Sequence, residues 1–497
     1  MLGQQQINLS AGPTAIALPD GTQVPMWGYT CGAAVSGSTA TCAALNPNAG
    51  GGWSPVIITV PTGTASAPAS LQINLTNNLS FTPAGSTTAN TIPTSVVIVG
   101  QVGGGLGSAP TRTQSPSHTN AQGCPTWFIA SGATPPGTPC PAPQAGASNL
   151  PPKQGPRVQS MATEVAAGAT TALTWANLKP GTYLLESGTH PSIQVPMGLI
   201  GMLVVTTPPS GTTAGTAYPA SATQAAVPYN AEVPLEFSEI DPVQNSAVNT
   251  AVNTAGFSET RVWSGMPTDP QGNPGCGNPA SSTYHTCYPP AVNYTPLYYL
   301  INGVAFNKDN AAASLFPATA GTTTTGITGT VLVRIVNAGL RMHVPSMVNS
   351  LTQGFNGAGA SATVAGFTLT AEDGNVLPNV APPGAATVPA APRVQTDVLM
   401  VPSKTYDVLI NMPTCTPVLP ATSCTPPSLP IYDRELSLSA NSSLRDAGMI
   451  AYIGVNGSGL PVAAGSGVFA AAVARDDTYN GLAPGQPFSV SDASKGV

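Results

Sequence analysis

The chain has 497 residues, of which 42% are hydrophobic and only 7% are charged, and glycine and proline contribute 53 residues each. The formal net charge of -6 comes from 14 basic and 20 acidic residues with no lysine or arginine cluster, which disfavours nucleic acid as a partner. No run of about eighteen consecutive apolar residues occurs, so we expect no transmembrane segment.

The composition predicts an all-β protein. A chain of this length is too long for a single hydrophobic core and predicts two or three domains. Glutamate, lysine and glutamine are scarce, and short β-branched runs alternate with proline and glycine turns, so long helices are not expected. Sandwiches or barrels with long ordered loops fit this pattern. The chain as written has no amino-terminal signal peptide, so we expect either a cleaved or an omitted export signal.

The eight cysteines fall into four close pairs within loops rich in glycine, proline, serine and threonine. This spacing predicts four disulfides that each staple one loop, and therefore an oxidising compartment. A zinc site would need tight Cys-X-X-Cys pairs, which the sequence does not contain. The predicted disulfides join Cys31 to Cys42, Cys124 to Cys140, Cys276 to Cys287, and Cys415 to Cys424.

Strand patterns occupy the first two hundred residues. Pro19-Asp20-Gly21 separates two apolar runs and predicts a hairpin turn, and residues 71–79 (LQINLTNNL) alternate strictly between apolar and polar side chains. Residues 71–79, together with residues 94–101 (TSVVIVGQ) and 178–206 (LKPGTYLLESGTHPSIQVPMGLIGMLVVT), resemble the first cupredoxin domain of multicopper oxidases. The resemblance places the copper-ligand positions of that domain at Val97, Val99, Glu186 and Gly188, and implies that the ligands are lost.

Five later motifs follow the order of the second cupredoxin domain of multicopper oxidases, which normally holds no copper. They are residues 233–242 (VPLEFSEIDP), 298–306 (YYLINGVAF), 331–344 (VLVRIVNAGLRMHV), 367–378 (FTLTAEDGNVLP) and 397–410 (DVLMVPSKTYDVLI). Over residues 71–457 the order of features is most similar to very large exported bacterial multicopper-oxidase-like proteins associated with manganese oxidation.

The implied architecture is two cupredoxin-like Greek-key β-sandwich domains with long disulfide-stapled loops and an extended carboxyl-terminal tail. We predict domain 1 at residues 1–207, a linker at 208–226, domain 2 at 227–460 and the tail at 461–497. The tail resembles the start of a cadherin-like repeat. Asp476 and Asp477 within it fit either a calcium site or a solvated tail, and the solvated tail is favoured.

The histidines do not form a copper site in the sequence. His118, His190, His285 and His343 are scattered, no His-X-His pair occurs, and every cysteine has a predicted disulfide partner. We therefore expect no catalytic residue and no cofactor in this chain, with copper only if additional domains exist. His190 with Glu186 is the residual metal candidate, although a hydrogen-bonded loop residue is favoured because metal sites need several convergent ligands. We predict a core or edge position for His343.

Three functional hypotheses follow. The leading one is an exported, non-catalytic structural or surface-assembly protein, extracellular or at the bacterial cell surface, that self-associates by strand addition. The alternative is the amino-terminal portion of a large secreted multicopper oxidase, oxidising Mn(II) or another metal, whose copper sites lie beyond residue 497. A third is a carbohydrate- or partner-binding module that uses the loop region of residues 103–156.

Overall fold

The computed structural model describes residues 4–64, 66–113, 156–222, 224–255, 257, 294–321, 327–355, 361–379, 392–414, 428–435, 437 and 447–460. Several sequence predictions lie outside these ranges: three of the disulfides, the tail of residues 461–497 with Asp476 and Asp477, His118, His285 and most of the loop region of residues 103–156. The disulfides concerned are Cys124 with Cys140, Cys276 with Cys287, and Cys415 with Cys424.

The first sandwich is built from two facing sheets. Its strands are β1 (Gln5–Ala17), β2 (Gln23–Cys31), β3 (Thr41–Ala44), β4 (Val56–Pro61), β5 (Ala69–Asn77), β6 (Ser80–Phe81), β7 (Asn90–Thr91), β8 (Val97–Ile98), β9 (Thr111–Thr113), β10 (Arg157–Ser160), β11 (Thr170–Leu178), β12 (Gly181–Glu186) and β13 (Ile200–Thr206). A short helix, α1 (Pro191–Gln194), precedes β13. The sheets have the strand orders β11-β5-β1-β2 and β3-β4-β13-β12-β8, and β6 pairs with β7 and β9 with β10.

Strict alternation in the sequence produces the half-buried strands of this sandwich. In β5, Leu71, Ile73 and Leu75 are fully buried, while the polar residues between them lie on the other face. The turn at Gly21, which has a φ of 85°, closes the β1–β2 hairpin as its Pro-Asp-Gly sequence predicts. These apolar faces meet Tyr183, Leu185 and Leu203 of the second sheet in one core.

The second sandwich begins with a short hairpin. Its elements are β14 (Gly215–Tyr218), β15 (Val227–Tyr229), β16 (Ala231–Ile240), α2 (Pro242–Val252), β17 (Tyr298–Ile301), β18 (Phe306–Asn307), a 3-10 helix (Lys308–Ser314), β19 (Leu315–Ala318), β20 (Val331–Asn337), β21 (Pro345–Met347), β22 (Leu351–Phe355), β23 (Ser361–Ala365), β24 (Phe367–Glu372), β25 (Asn375–Val376), β26 (Arg393–Gln395), β27 (Thr405–Ile410), β28 (Leu429–Asp433), β29 (Ala447–Gly448) and β30 (Ile450–Val455). The main sheets have the orders β17-β16-β20-β27-β24-β25, with β26 also paired to β24, and β19-β30-β28-β21. Two-stranded pairs are β14–β15, β18–β29 and β22–β23.

The two sandwiches repeat one strand arrangement. In the first, β1 runs parallel to β5 and antiparallel to β2, and β5 pairs antiparallel with β11. In the second, β16 takes the place of β1, with β20 parallel to it, β17 antiparallel to it, and β27 antiparallel to β20. The other sheets match as well, because β4 is parallel to β13 and β19 is parallel to β30. The all-β, cupredoxin-like double-sandwich prediction is therefore confirmed.

An apolar seam joins the two sandwiches. Leu184, Met202 and Val204 of the first sandwich share one buried cluster with Leu300 and Val336 of the second. The hairpin β14–β15 also lies beside this seam, although residues 208–226 read as a linker in the sequence. The domain boundaries inferred from the sequence stay a prediction.

Two local features complete the fold. A disulfide joins Cys31 to Cys42, which confirms that pairing. Helix α2 begins where its sequence signals a start, because the Asp241 side chain accepts the backbone N–H groups of Val243 and Gln244, and Pro242 needs no partner at the first position. Within the described ranges, none of the helices combines the length and the hydropathy needed to cross a bilayer.

Candidate functional site

Three of the four positions that the resemblance assigns to copper ligands lie together. Strands β8 and β12 are neighbours, and Glu186 pairs directly with Val97. A Cβ added to Gly188 would lie 2.5 Å from Val97 Cγ2, so the valine fills the space that a side chain at position 188 would need. Val99 lies further along, where its backbone N–H donates to the Leu184 carbonyl and its side chain packs against the seam.

Buried hydroxyl and amide groups surround this position. Six side chains, all 0% exposed, come from the segment before β8, the end of β10, the turn after β12 and α1: Thr94, Ser95, Ser160, Ser187, Thr189 and Gln194. We call them the hydroxyl network.

The hydroxyl network is satisfied by internal hydrogen bonds. The Thr94 and Ser187 hydroxyls both donate to Gln194 Oε1, at 2.8 and 2.7 Å. Thr189 Oγ1 donates to Ser95 Oγ at 3.0 Å, and Ser95 Oγ lies 3.1 Å from Ser160 Oγ. Each hydroxyl is therefore engaged with a protein partner, as buried polar groups require.

Two titratable groups lie close to the hydroxyl network. Burial raises the pKa of Glu186 to about 7, so this carboxyl group changes charge near neutral pH. Tyr29 donates its hydroxyl to the Ser95 carbonyl at 3.0 Å, and burial together with the Glu186 charge raises its pKa well above the ordinary range. Both groups can carry protons, and the side chains that act on the Tyr29 hydroxyl are the Glu186 carboxylate and the Thr94 and Ser187 hydroxyls.

The main chain of His190 has a structural role. It begins α1 with a φ of 39°, donates its backbone N–H to the Gln159 carbonyl at 2.9 Å, and accepts from the Ile193 and Gln194 backbone N–H groups. These contacts fix the turn between β12 and β13. Among the residues that the structure describes, no group of three histidine, cysteine, aspartate or glutamate side chains could hold a metal ion.

Copper does not fit the ligand positions as they are occupied. Valine at 97 and 99 and glycine at 188 supply no donor atom, and the hydroxyls next to them already bond to each other. Glu186 alone is an oxygen donor in this group, and a single carboxylate does not meet the convergent nitrogen and sulfur ligation of a copper centre.

The second sandwich contains a charged cluster that the sequence did not reveal. His343 is 0% exposed, with its Nδ1 2.9 Å from Asp433 Oδ2 and its Nε2 3.0 Å from Glu239 Oε2. Burial alone would lower the pKa of His343, but the hydrogen bonds and charges of the two carboxylates outweigh it and raise the pKa to about 9. Hydrogen bonds from His343 and Val344 lower the pKa of Asp433 despite its burial. We call these three side chains the His343 triad.

The remaining lone pairs of the triad carboxylates are also occupied. Glu239 Oε1 accepts the backbone N–H groups of Leu340 and Arg341, both at 2.7 Å. Asp433 Oδ1 accepts the backbone N–H of Val344 at 2.8 Å. The triad therefore ties strands β16 and β28 to the turn after β20, and its geometry is that of a satisfied structural ion cluster. His343 is a core histidine, one of the two positions the sequence predicts.

A second charged cluster crosses the seam. Arg334 is 0% exposed, donates through Nε to Glu232 at 2.7 Å, and donates through Nη1 to Thr182 Oγ1 of the first sandwich at 2.9 Å. Asp407 accepts from the Thr182 hydroxyl at 2.6 Å and from the Tyr218 hydroxyl at 2.5 Å. The two sandwiches are thus joined by charge-assisted hydrogen bonds as well as by apolar contact.

Glu236 differs from these paired carboxylates. It is 0% exposed, and neither of its side-chain oxygens has a hydrogen-bond partner among the residues that the structure describes. Burial raises its pKa well above the ordinary range, which favours the neutral acid. The sequence motif that carries Glu236, Glu239 and Asp241 therefore places three carboxyl groups in three environments: the unpaired position, the His343 triad and the α2 cap.

Comparison with known proteins gives similarity of fold only. No protein-family model and no curated protein matches the chain. Among solved structures, the blue copper oxidase of Nitrosomonas europaea is 15% identical, with a TM-score of 0.44 over 91% of this chain and 86% of that one. The multicopper oxidase mgLAC is 14% identical, with a TM-score of 0.45 over 93% of this chain and 89% of that one. The copper nitrite reductase of Nitrosomonas europaea is 11% identical, with a TM-score of 0.42 over 91% and 94%.

What those proteins bind or catalyse is a property of their own ligand sets, since one fold hosts many functions.

Proposed function

We propose that this chain is an exported, non-catalytic scaffold protein that works outside the cell, at the bacterial surface or in the extracellular space, by assembling with copies of itself. One observation carries the non-catalytic part. The Val97 side chain fills the space beside Gly188, and the hydroxyl network around them is satisfied internally. A position filled with packed methyl groups and self-bonded hydroxyls stabilises the fold rather than binding a substrate.

Export is supported by the cysteine chemistry. The Cys31–Cys42 disulfide is formed in the first sandwich, and structural disulfides persist in oxidising compartments. The low charge content of the chain also fits assembly, because few charges oppose contact between copies.

A scaffold also benefits from a rigid body. Arg334 reaches Thr182 across the seam, and Asp407 accepts from both Thr182 and Tyr218. Bonds of this kind and the apolar cluster beside them hold the two sandwiches in one arrangement. A fixed arrangement is what repeated contacts between copies require.

Two measurements on the purified full chain test the proposal. After incubation with copper and removal of the excess, elemental mass spectrometry should find well under one copper per chain. Sedimentation velocity over a range of concentrations should show reversible growth of larger species. Stoichiometric copper, catalytic oxidation of Mn(II), or a monomer at every concentration would each contradict it.

A double variant identifies the source of any copper that is found. Glu186→Gln with His190→Asn removes the residual ligand candidates, and asparagine tolerates the left-handed backbone at position 190. Loss of copper in this variant would assign those side chains as ligands and overturn the non-catalytic interpretation.

A further inference from the structure

Glu236 lies in the seam between the two sandwiches. On β16 it alternates with Leu235 and Phe237, which belong to the core of the second sandwich, so its side chain leaves the opposite face of the sheet. Its partner in register on β20 is Val336, a member of the apolar cluster that joins the two sandwiches. The carboxyl group therefore projects toward the first sandwich, and it is 0% exposed.

The seam offers this carboxyl group little solvation. The cluster that contains Val336 is apolar and includes Met202 and Val204 of the first sandwich and Leu300 of the second. Neither Glu236 oxygen has a hydrogen-bond partner among the described residues. The Ser238 hydroxyl, two residues later on the same face of β16, has none there either.

The charged and titratable groups on the neighbouring strands have other positions or partners. They are Glu232 and Glu239 on β16, Tyr298 and Tyr299 on β17, Arg334 on β20, Asp407 on β27, and Tyr183 and Glu186 on β12. Strands β4 and β13 carry none. None of these groups is hydrogen-bonded to Glu236, because Glu232 pairs with Arg334, Glu239 belongs to the His343 triad, and Asp407 accepts from Thr182.

We propose that protonation of Glu236 controls the seam, which is closed while the carboxyl group is neutral and opens to water when the carboxyl group loses its proton. A neutral acid is tolerated between apolar side chains, whereas a carboxylate without a partner is far more costly there. Separation of the sandwiches would hydrate the carboxylate and leave both cores intact, because the Glu236 side chain faces neither core.

The direction of the pH dependence follows from proton linkage. In the open form the Glu236 pKa takes its ordinary value of 4.5, and in the closed form burial raises this pKa well above that value. The closed form therefore binds the proton more tightly, and the ratio of closed to open chains is highest in acid. Between the two pKa values, each added pH unit should lower this ratio about tenfold.

A cysteine placed in the seam of the full chain measures the opening. Val204 is 0% exposed and belongs to the seam cluster, so Val204→Cys should react with a thiol reagent when the seam opens. Val333→Cys is the matched control, because Val333 is equally buried in the core of the second sandwich and its reaction reports unfolding. Peptide mass spectrometry assigns the label to the introduced cysteine. Dividing each rate by that of an unstructured cysteine peptide at the same pH removes the titration of the thiol.

The interval from pH 5 to 6.5 separates Glu236 from the His343 triad, whose histidine stays protonated there in the folded chain. Over this interval the corrected rate of Val204→Cys should rise about tenfold per pH unit. The corrected rate of Val333→Cys should rise much less. Equal rises at the two positions, or no rise at either, would overturn the proposal.

A second substitution in the Val204→Cys chain tests the assigned group. Glu236→Gln keeps the shape of the side chain but cannot ionise, so the rise with pH should disappear. Glu236→Leu should give the same result and serves if the glutamine variant does not fold. Glu186→Gln is the comparison, because burial raises the pKa of that carboxyl group to about 7, and the rise should persist in it. A rise that persists without Glu236, or one that is lost with Glu186→Gln, would contradict the assignment.

Discussion

The His343 triad makes stability depend on pH in a direction that can be calculated. The His343 pKa is raised from 6.5 to about 9, so the folded state holds a proton that the unfolded chain releases above pH 6.5. The contribution of protonated His343 to the free energy of unfolding is fully present below pH 6.5 and is lost as the pH rises through about 9. The rise in pKa corresponds to about 3 kcal/mol. The lowered pKa of Asp433 acts at the acidic end, where its contribution is present above the ordinary aspartate pKa and is lost as the pH falls.

Replacing His343 with glutamine tests this contribution. The variant removes the positive charge and leaves Asp433 and Glu239 as two buried carboxylates without a cation between them. Loss of one partner from a buried ion cluster costs about 3–5 kcal/mol, so we expect a decrease of this size in the unfolding free energy at pH 7. Urea unfolding followed by tryptophan fluorescence at each pH from 6 to 10 measures it.

The shape of the pH profile separates the charge effect from a loss of packing. The unmodified chain should lose stability between pH 6.5 and 9, whereas His343→Gln should lose much less over that interval. His190→Asn is the matched control, because that histidine lies outside the triad and should leave the decline unchanged. An equal decline in the unmodified chain and in His343→Gln would refute the role assigned to the triad.

Three further changes have defined expected effects. Glu236→Leu should raise the free energy of unfolding by about 1–3 kcal/mol, because it removes a buried carboxyl group that has no partner among the described residues. Glu232→Leu is the comparison variant: it breaks the ion pair with Arg334 and should lower the melting temperature. Gly188→Val should cost about 1–3 kcal/mol in urea unfolding, because even its Cβ would lie 2.5 Å from a valine methyl group; an unchanged midpoint would contradict this packing. Replacing Cys31 and Cys42 with serine should lower the free energy of unfolding by about 3 kcal/mol. A decrease of less than about 1 kcal/mol in urea unfolding would show that the disulfide does little to stabilise this loop.

Local patterns in the sequence were sufficient for the fold class. The alternation of Leu71, Ile73 and Leu75 has one structural solution, a strand with one buried face, and the Pro-Asp-Gly turn at Gly21 joins two such strands. The same reasoning underestimated short-range signals for helices. Asp241 followed by Pro242 is a capping sequence, and it starts α2 in a chain whose composition disfavours helix.

The charged clusters could not be predicted because their members are distant in sequence. Glu239, His343 and Asp433 come from three strands or turns, and only the packing of the two sheets brings their side chains within 3.0 Å. Arg334 was visible as a charge inside an apolar strand, which is a signal for a buried partner. Its contact with Thr182 nevertheless depends on how two separate sandwiches meet.

The seam between the sandwiches has a mechanical consequence. Force applied to opposite ends of the chain would reach the contacts of Arg334, Thr182 and Asp407 before either sandwich could turn relative to the other. These charged groups are shielded from water, so their hydrogen bonds and the apolar cluster around them should break together. Water cannot reach the charged groups while the apolar contacts are intact, or the apolar contacts while the hydrogen bonds are intact. Under tension the two sandwiches would therefore keep one arrangement until the charged contacts and the apolar cluster give way together.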